Sequence, residues 1–298
     1  MTHNTERAVS RRTVLGVGIA AAVPPIVGIA TAPKAAAAPK SDDQPDAAIK
    51  QLEQHYQVRI GLTAKNLRTR AAIQHRPTER FPLCSTFKAV AAAAVLRERV
   101  DLDHVVRYPE SILVENSPVS SERRSMRIAE IIDAAVRYSD NTAGNLMLQQ
   151  IGGPRGFTRF VRSIGDRVTR LDRWETELNT AYPGDLRDTT TPTAIADTYA
   201  KILLGDVLPA DRRYFLRATM QGNTTSIGKF RAALPAGWWF ADKTGGGDYA
   251  SRNDVGVTWT PDGAPIVIAA LTRSDDPTAA PLDVPLADIA ATVCGELG

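Results

Sequence analysis

The stretch "PLCSTFKAV" (residues 82–90) places a serine, Ser85, three residues before a lysine, Lys88, at the start of an alanine-rich helical pattern. Serine is a favoured helix N-cap residue, and the run that follows as far as Arg99 contains few helix breakers. A motif this short is frequent by chance, so it fits an ordinary helix start as well as an activated nucleophile. The surrounding sequence has to decide between the two.

The composition is that of an ordinary globular protein: 298 residues, of which 43% are hydrophobic and 23% are charged. A chain of this length buries one or two hydrophobic cores. The net charge of +3 is small and the basic residues are scattered, so no nucleic-acid partner is expected. No pair among the four histidines has the spacing of metal ligands, and we expect no metal and no other cofactor.

The chain has only two cysteines, Cys84 and Cys294, and both are expected to be buried thiols. A catalytic cysteine would need a histidine partner, and the histidines of the mature chain fall in scattered polar contexts. No G-x-S-x-G element is present either. The sequence therefore disfavours cysteine hydrolases, Ser-His-Asp hydrolases and zinc hydrolases.

The first forty residues are typical of an export signal. Residues 10–15 (SRRTVL) resemble the twin-arginine consensus, an apolar stretch follows over residues 14–30, and alanine-rich cleavage options occur at residues 35–38. Two consecutive prolines interrupt the apolar stretch and argue against the alternative of a membrane anchor. We expect residues 1–40 to be removed during export by the twin-arginine translocation machinery. The mature protein should be secreted or periplasmic, with no membrane partner.

Strand-like runs occur near both ends of the mature chain, and helical patterns lie between them. A sheet built from both ends with helices inserted between is an α+β fold of two lobes, with a cleft at their seam. We expect one domain over residues 41–298: an α/β lobe of about residues 41–80 and 223–298, and an all-α lobe of about residues 81–222. The predicted strands are 58–63, 71–75, 238–244, 254–260 and 266–272, and the predicted helices are 47–55, 85–99, 128–138, 141–151, 156–164, 192–204, 209–220 and 284–296.

Two further polar elements fall where the predicted cleft opens. Ser139, Asp140 and Asn141 stand between two predicted helices, and alone they fit ordinary turn and capping chemistry. Lys243, Thr244 and Gly245 end a strand-like run, and alone they fit a hairpin turn. Each element by itself is weak evidence for an active site, whereas the three elements in this order at one cleft are strong evidence.

The set S-x-x-K, S-D-N and K-T-G resembles the serine penicillin-recognising enzymes. A fourth stretch, E-x-E-L-N from Glu175 to Asn179, resembles the Ω-loop of the class A β-lactamases, which transpeptidases lack. From about residue 45 to its end, the chain is identified by this resemblance as a class A serine β-lactamase. The resemblance implies a two-lobed β-lactamase-like fold with an antiparallel sheet flanked by helices. It also implies a monomer that hydrolyses penicillins and early cephalosporins and so confers antibiotic resistance.

The chemistry that this resemblance implies gives each motif residue a role. Lys88 lies one helical turn after Ser85 on the same face, so its amine can reach the Ser85 hydroxyl and take or relay the proton. Ser85 is then the nucleophile that attacks the lactam carbonyl. By resemblance, Ser139 passes a proton to the departing nitrogen, and Glu175 activates the water that hydrolyses the acyl-enzyme. Whether Lys88 or Glu175 is the base for acylation stays open.

The resemblance also implies how the substrate is held. Lys243, Thr244 and Arg252 suit its carboxylate with a charge, a hydroxyl and a forked donor, although Arg252 also fits a solvated strand residue. The backbone N–H groups of Ser85 and Gly246 are the expected oxyanion hole. The substrate-binding residues expected in full are Asn141, Lys243, Thr244, Gly245, Gly246, Arg252 and Tyr108. Tyr108 resembles the aromatic residue that walls the family's cleft, although it also fits a plain aromatic residue of a loop.

Two more expectations concern the Ω-loop and the rival functions. An ion pair of Arg173 and Asp188 should close the loop at its base. Gly246 and Gly247 stand where carbapenem-hydrolysing relatives have a second cysteine, so Cys84 stays unpaired and that spectrum is disfavoured. The alternatives to a β-lactamase are a cell-wall D-alanyl carboxypeptidase, which has no use for Glu175, and a penicillin-binding sensor that acylates without turnover.

Overall fold

The computed structural model of the protein describes residues 44–298, so the predicted export signal lies outside the described residues. No helix of this range is long and apolar enough to cross a lipid bilayer. The α-helices of this range are α1 (Gln44–Tyr56), α2 (Phe87–Arg97), α3 (Ile128–Arg137), α4 (Asn141–Gln150), α5 (Gly153–Ser163), α6 (Pro192–Leu204), α7 (Ala210–Gln221) and α8 (Val284–Leu297). Its strands are β1 (Arg59–Asn66), β2 (Ala72–His75), β3 (Phe81–Pro82), β4 (Val105–Arg107), β5 (Ser125–Arg127), β6 (Thr189–Thr190), β7 (Trp239–Gly246), β8 (Arg252–Trp259) and β9 (Pro265–Arg273).

The central sheet has five antiparallel strands in the order β2-β1-β9-β8-β7. β1 and β2 come from the start of the described chain, and β7 to β9 come from its end. The pairing of β1 with β9 runs from Arg59 opposite Arg273 to Asn66 opposite Ile266, so the two ends of the chain are joined along a whole strand. The predicted α+β fold, with an antiparallel sheet built from both chain ends, is confirmed.

Helices cover both faces of the sheet, and this is why its inner strands are almost continuously buried. Side chains along a strand point alternately to opposite faces, and β9 shows both cores at once. One core lies on the side of α2 to α7, and the other lies on the side of α1 and α8. From β9, Val267, Ala269 and Leu271 enter the first core, and Ile266, Ile268 and Ala270 enter the second.

α2 is the central helix of the helical segment, with every residue from Phe87 to Leu96 buried. It packs against α3, α4, α5, α6 and α7. Five of its eleven residues are alanines, whose short side chains let the neighbouring helices approach closely from all sides. A helix enclosed in this way holds the side chains at its N-terminal end in fixed positions.

The chain enters α2 through a 3₁₀ turn, Cys84–Thr86, rather than through a capping serine. The N-cap residue of α2 is Thr86, and its side chain makes no capping hydrogen bond. Ser85 therefore lies two residues before Phe87, the first residue of α2, with its hydroxyl free for other partners, which removes the helix-cap interpretation. The turn contacts β7 and β8, so the start of α2 lies at the edge of the sheet.

The predicted helices and strands agree with the observed ones except near some ends. The largest differences are of three residues, at the start of α1, at the end of β1 and at the start of α5. α5 was predicted to begin at residue 156 and begins at Gly153. Pro154 occupies its first turn, where a proline needs no backbone N–H, and Gly152 precedes it with a left-handed φ of 83°. The two short pairs β3–β6 and β4–β5 were not predicted, because two or three residues give no periodic signal.

Candidate active site

The 3₁₀ turn and the start of α2 that follows it bring Ser85 and Lys88 into contact. The Lys88 Nζ lies 2.9 Å from the Ser85 Oγ, as expected for residues three apart on one helical face. Lys88 is fully buried and Ser85 nearly so. The Ser85 hydroxyl does not cap the helix, and a buried amine lies at hydrogen-bond distance from it. Such an amine can accept or relay the proton of the hydroxyl.

Lys88 has three further oxygen partners besides Ser85. Its Nζ donates to the Ser139 carbonyl at 2.8 Å and to Asn141 Oδ1 at 2.6 Å, and it lies 2.9 Å from Glu175 Oε1. Burial lowers the pKa of Lys88, and the neighbouring Glu175 carboxylate opposes that shift. An ammonium has only three N–H groups, so it cannot donate to all four oxygens at once. A proton can therefore be shared between Lys88 and the Ser85 hydroxyl.

Glu175 reaches the same hydroxyl from beside Lys88, because its Oε1 lies 2.9 Å from the Lys88 Nζ. Its Oε1 lies 3.4 Å from the Ser85 Oγ, and its Oε2 accepts a hydrogen bond of 2.6 Å from the Asn179 side chain. The backbone of Glu175 is fixed by Asn145, whose side chain accepts from the Glu175 N–H at 2.9 Å and donates to its carbonyl at 3.0 Å. Sequence reasoning missed Asn145, although its place one turn after Asn141 on α4 puts both residues on one face.

The loop that carries Glu175, residues 172–188, is closed at its base by the expected ion pair. Arg173 Nε donates to Asp188 Oδ2 at 2.6 Å. The other Asp188 oxygen accepts from the backbone N–H groups of Asp172, at 2.6 Å, and Arg173, at 3.0 Å. Asp188 is buried, so both of its carboxylate oxygens are satisfied where water has little access.

The Ser139-Asp140-Asn141 element lies between α3 and α4, facing the start of α2. Ser139 has a left-handed φ of 59°, a strained conformation for a serine that the surrounding contacts hold in place. Its Oγ accepts a hydrogen bond of 3.1 Å from Lys243. Asp140 caps α4 by accepting from the Ala143 N–H at 2.8 Å, which is a structural duty.

The end of β7 brings Lys243, Thr244 and two glycines to the same place. Lys243 is fully buried, and burial together with the charge of Lys88 lowers its pKa to about 7. A Cβ on Gly245 would lie 3.1 Å from the Leu83 carbonyl oxygen, and a Cβ on Gly246 would lie 2.8 Å from Arg252 Nη1. The two glycines thus let β7 approach the turn before α2 and let Arg252 lie across the strand end.

Two adjoining cavities, of about 620 Å³ and about 420 Å³, open in front of these residues. Both are lined by Asn116, Ser139 and Gly246. The first also borders Ser85, Asn141 and Asn179, and the second also borders Thr244, Lys229, Arg252 and Asp283. One cleft therefore joins the serine and its proton partners to a cationic end.

Comparison with known proteins identifies the family of this chain. The sequence model of the β-lactamase enzyme family matches residues 44–297 of this chain. The chain belongs to this family. It is 45% identical to a β-lactamase of Streptomyces cellulosae, with 97% of this chain and 96% of that protein covered.

Solved structures extend the likeness to the whole fold of this β-lactamase. The structure of the β-lactamase of Streptomyces albus G superimposes with a TM-score of 0.83 and 41% identity, covering 85% of this chain and 99% of that one. An ancestral class A β-lactamase, GNCA, superimposes with a TM-score of 0.82 and 43% identity, covering 85% and 99%. The two-lobed class A fold is thus shown.

One expected site residue does not line the cleft of this β-lactamase. Tyr108 is 4% exposed, packs in the first core and donates its hydroxyl to the Ser120 carbonyl at 3.1 Å. Its position directly after the short strand β4 turns the ring inward, so the prediction of an aromatic wall was wrong. Asn116 lines both cavities instead, with a left-handed φ of 56° that asparagine tolerates well.

Two charged residues at the cationic end were missed by sequence reasoning. Lys229 Nζ lies 3.1 Å from Asp283 Oδ2, and Arg252 Nε lies 3.4 Å from Asp283 Oδ1. One carboxylate thus lies between two cations at the end of the cleft. Lys229 follows the stretch "NTTSIG", and Asp283 immediately precedes α8, so neither position lies near a recognisable motif.

Proposed function

We propose that this family member hydrolyses the β-lactam amide of penicillins and early cephalosporins through an acyl-enzyme on Ser85. One observation carries the proposal: the Ser85 Oγ lies 2.9 Å from Lys88 Nζ and 3.4 Å from Glu175 Oε1, in a buried site that opens on a cleft. A nucleophile beside two adjacent groups that can accept its proton can be acylated and then released.

In acylation, the Ser85 Oγ bonds to the lactam carbonyl carbon and the C–N bond of the ring breaks. The serine proton leaves through the Lys88–Glu175 pair and reaches the lactam nitrogen by way of Ser139, whose Oγ is held by Lys243. The negative charge on the carbonyl oxygen is stabilised by the backbone N–H groups of Ser85 and Gly246. The positive potential at the start of the buried helix α2 also stabilises this negative charge.

In deacylation, Glu175 removes a proton from a water molecule, which attacks the ester carbonyl, and Ser85 recovers its proton as the acid product leaves. The 3.4 Å between Glu175 Oε1 and the Ser85 Oγ is consistent with a base close to the acyl bond. Asn179 holds the side chain of Glu175 and Asn145 holds its backbone, so the orientation of the carboxylate is fixed. A transpeptidase-like enzyme needs no such base.

The cationic end of the cleft binds the substrate carboxylate in this proposal. Lys243 contributes charge, Thr244 a hydroxyl and Arg252 a forked donor. Asn141, which also donates to the Glu115 carbonyl at 2.8 Å, is placed to hold the acylamide side chain. Gly246 and Gly247 leave Cys84 as a free thiol, and burial raises its pKa to about 12, so it takes no part as a nucleophile.

We further propose that the mature enzyme is a monomer exported by the twin-arginine route. The support is the signal-like sequence of residues 1–40, which precedes a family match that begins at residue 44. The test is to replace Arg11 and Arg12 by lysines and to follow the location of activity in a host cell. Activity that stays in the cytoplasm supports the route, and unchanged export refutes it.

The experiment that tests the proposed mechanism is the Glu175→Ala variant, with Glu175→Gln as a variant that keeps the side-chain shape. Removing a positioned general base costs about 10²–10⁴-fold in the step that it serves. Benzylpenicillin should therefore acylate Ser85 and remain attached, so that the intact mass rises by one penicillin. Glu177→Ala, which changes an exposed glutamate of the same loop, should keep full turnover.

The outcomes separate the rival functions. Steady hydrolysis of a chromogenic cephalosporin by the wild-type protein supports a β-lactamase, whereas a single burst would indicate a carboxypeptidase or a sensor. If Glu175→Ala forms no adduct, Glu175 also serves in acylation. If Glu175→Ala turns over at the wild-type rate, Glu175 has no role in the mechanism and the proposal is wrong.

A further inference from the structure

Asn253, the second residue of β8, connects the central sheet to the segment that carries the proposed nucleophile. Its Nδ2 donates to the Pro82 carbonyl at 2.8 Å and to the Leu83 carbonyl at 3.2 Å. Its Oδ1 accepts from the backbone N–H of Thr272, on β9, at 3.3 Å. Asn253 is fully buried, so these three backbone groups are the partners that satisfy its amide.

The three partners allow only one orientation of the amide. In the flipped orientation, the amide oxygen would face two carbonyl oxygens, which cannot donate, and the NH₂ group would face the Thr272 N–H, which cannot accept. The Thr272 N–H therefore directs both amide donors at residues 82–86, which we call the nucleophile turn. Asn253 is thus held by the sheet and in turn holds the nucleophile turn.

The nucleophile turn lies close against the end of β7. Gly245 is opposite Asn253 in the β7–β8 pairing, and a Cβ on Gly245 would lie 3.1 Å from the Leu83 carbonyl oxygen and 3.3 Å from Asn253 Nδ2. Within residues 44–298, the hydrogen bonds that join the nucleophile turn to β7 or β8 are the two from the Asn253 amide. The amide therefore supplies the directional part of this junction.

The expected oxyanion hole takes one N–H group from each side of the same junction. The Ser85 N–H belongs to the nucleophile turn and the Gly246 N–H belongs to β7, and both residues border one cavity. Asn253 bonds the carbonyl two residues before Ser85, and it pairs with the residue directly before Gly246. Between Leu83 and Ser85, Cys84 has a left-handed φ of 44°, a strained conformation that its surroundings must hold.

We propose that Asn253 is a positioning residue that fixes the distance between the Ser85 and Gly246 N–H groups. The inference rests on the proposed function, in which both groups bind the carbonyl oxygen of the substrate. Such donors stabilise an oxyanion when each lies about 2.7–3.1 Å from it, so the spacing of the two N–H groups decides whether both can bond at once. Without the amide, the nucleophile turn shifts relative to β7 and one of the two hydrogen bonds lengthens.

The first test measures the acylation and deacylation rate constants of Asn253→Ala with benzylpenicillin. Both should fall by a similar factor, because both steps pass through an oxyanion on the same carbonyl. Loss of a whole oxyanion-hole donor costs about 10²–10³-fold, so a displaced donor should cost roughly 10- to 100-fold. Asn253→Ser, whose single hydroxyl cannot bond both carbonyls, should act in the same direction and replaces Asn253→Ala if that variant does not fold.

A buried hydrogen bond at the other end of the same strand supplies the matched control. Thr258 is fully buried on β8 and donates to the Trp239 carbonyl at 3.0 Å. Thr258→Val keeps the side-chain shape and removes this bond, so it should lower the melting temperature, as Asn253→Ala should, while it leaves both rate constants unchanged. Equal losses of rate in Thr258→Val and Asn253→Ala would reduce Asn253 to a structural role and overturn the inference.

The second test is infrared spectroscopy of the acyl-enzyme, which reports the oxyanion hole directly. Hydrogen bonds to a carbonyl oxygen weaken the C=O bond and lower its stretching frequency. In Glu175→Ala, where the benzylpenicillin acyl-enzyme should accumulate, the additional change Asn253→Ala should move the ester band to higher frequency. The additional change Thr258→Val should leave the band in place. A band at one frequency in all three proteins would overturn the inference.

The outcomes keep this inference apart from the proposed function. If the wild-type protein does not hydrolyse benzylpenicillin, the proposed function is wrong and the inference fails with it. If the wild-type protein turns over and Asn253→Ala has the same two rate constants, the inference alone is wrong. The rate constants require no trapped adduct, so they decide the matter even if Glu175→Ala is not acylated.

Discussion

The two walls of the cleft are built in opposite ways. The helical wall consists of Ser85, Lys88, Ser139, Asn141 and Glu175, and the strand wall consists of Lys229, Lys243, Thr244, Arg252 and Asp283. In the helical wall, the side chains of Lys88 and Glu175 are both fully buried. In the strand wall, Lys243 is buried as well, but the side chains of Arg252 and Asp283 are 25% and 44% exposed.

The difference reflects what each wall has to do. The helical wall pairs one lysine with one glutamate and gives each several hydrogen bonds, because a proton moves predictably only between groups held at fixed distances. The strand wall has three cations and a single partly exposed carboxylate, which leaves positive charge for an anionic substrate. Changes in the helical wall should therefore act on chemistry, and changes in the strand wall should act on binding.

The largest expected effect comes from Ser85→Ala, which removes the atom that would form the acyl bond. Hydrolysis of benzylpenicillin should fall by more than about 10⁴-fold. The melting temperature should stay within a few degrees, because Lys88 keeps its other three oxygen partners. Ser121→Ala, at an exposed serine of the same cleft, should retain activity. Turnover near the wild-type rate in Ser85→Ala would contradict the assignment of the nucleophile.

The next largest effect should come from the base of the Ω-loop, through Asp188→Asn. Asparagine keeps an oxygen for the two backbone N–H groups and tolerates the φ of 55°, so the change removes mainly the charge opposite Arg173. We expect a loss of roughly 3 kcal/mol and a melting temperature lower by roughly 6–12 °C, because Arg173 keeps a neutral hydrogen bond to Thr180 at 2.8 Å but only a long ion pair with Asp185 at 3.9 Å. Calorimetry checks this. An unchanged melting temperature would mean that the pair adds no stability.

The helical wall could largely be predicted from the sequence. Ser85 and Lys88 are three residues apart on a strong helical pattern, and spacing alone puts them on one face. Ser139 and Asn141 lie in a turn between two helices that the pattern also locates. The positions of such residues depend on local geometry, which hydrophobic periodicity and turn chemistry encode directly.

In the strand wall, the resemblance gave Lys243, Thr244 and Arg252. Lys229 and Asp283 were missed, since they meet the other members only through tertiary structure. Lys229 comes from an irregular segment before β7, and Asp283 comes from the residue before α8, so the two are 54 positions apart. Tyr108 is a second case in which tertiary structure decided the outcome: it was predicted to line the cleft but is buried in the first core. Its polar neighbours gave no sign that the ring turns into the core, and its burial depends on how the β4–β5 pair packs against α3.

A smaller effect is expected from the strand wall, through Arg252→Ala. A charge-assisted contact to a carboxylate contributes about 1.5–3 kcal/mol, so KM for benzylpenicillin should rise by roughly 10- to 150-fold. Stability should hardly change, because the partner Asp283 is half exposed and can be solvated. Steady-state kinetics decide the matter. If KM stays the same, the carboxylate is bound by Lys243 and Thr244 alone.

The smallest expected effect is a pH dependence that distinguishes the two walls by their lysines. Burial and the charge of Lys88 lower the pKa of Lys243 to about 7. A lysine is charged below its pKa, so the strand wall loses one positive charge as the pH rises through about 7. kcat/KM, which reports the free enzyme, should then fall by about tenfold between pH 7 and pH 8 to 8.5 for a substrate with a carboxylate.

Two controls assign this alkaline decline to the strand wall rather than to Lys88. Lys243→Arg keeps its charge at every pH of the assay, because a guanidinium titrates only above about pH 12, so the decline should vanish or move upward. The methyl ester of benzylpenicillin has no carboxylate to attract and should show no decline with the wild-type enzyme. A decline that persists in Lys243→Arg, and that appears equally with the ester, would place the titrating group in the helical wall. Lys88 would then be the lysine whose proton limits the reaction, and the division between chemistry and binding would not follow the two walls.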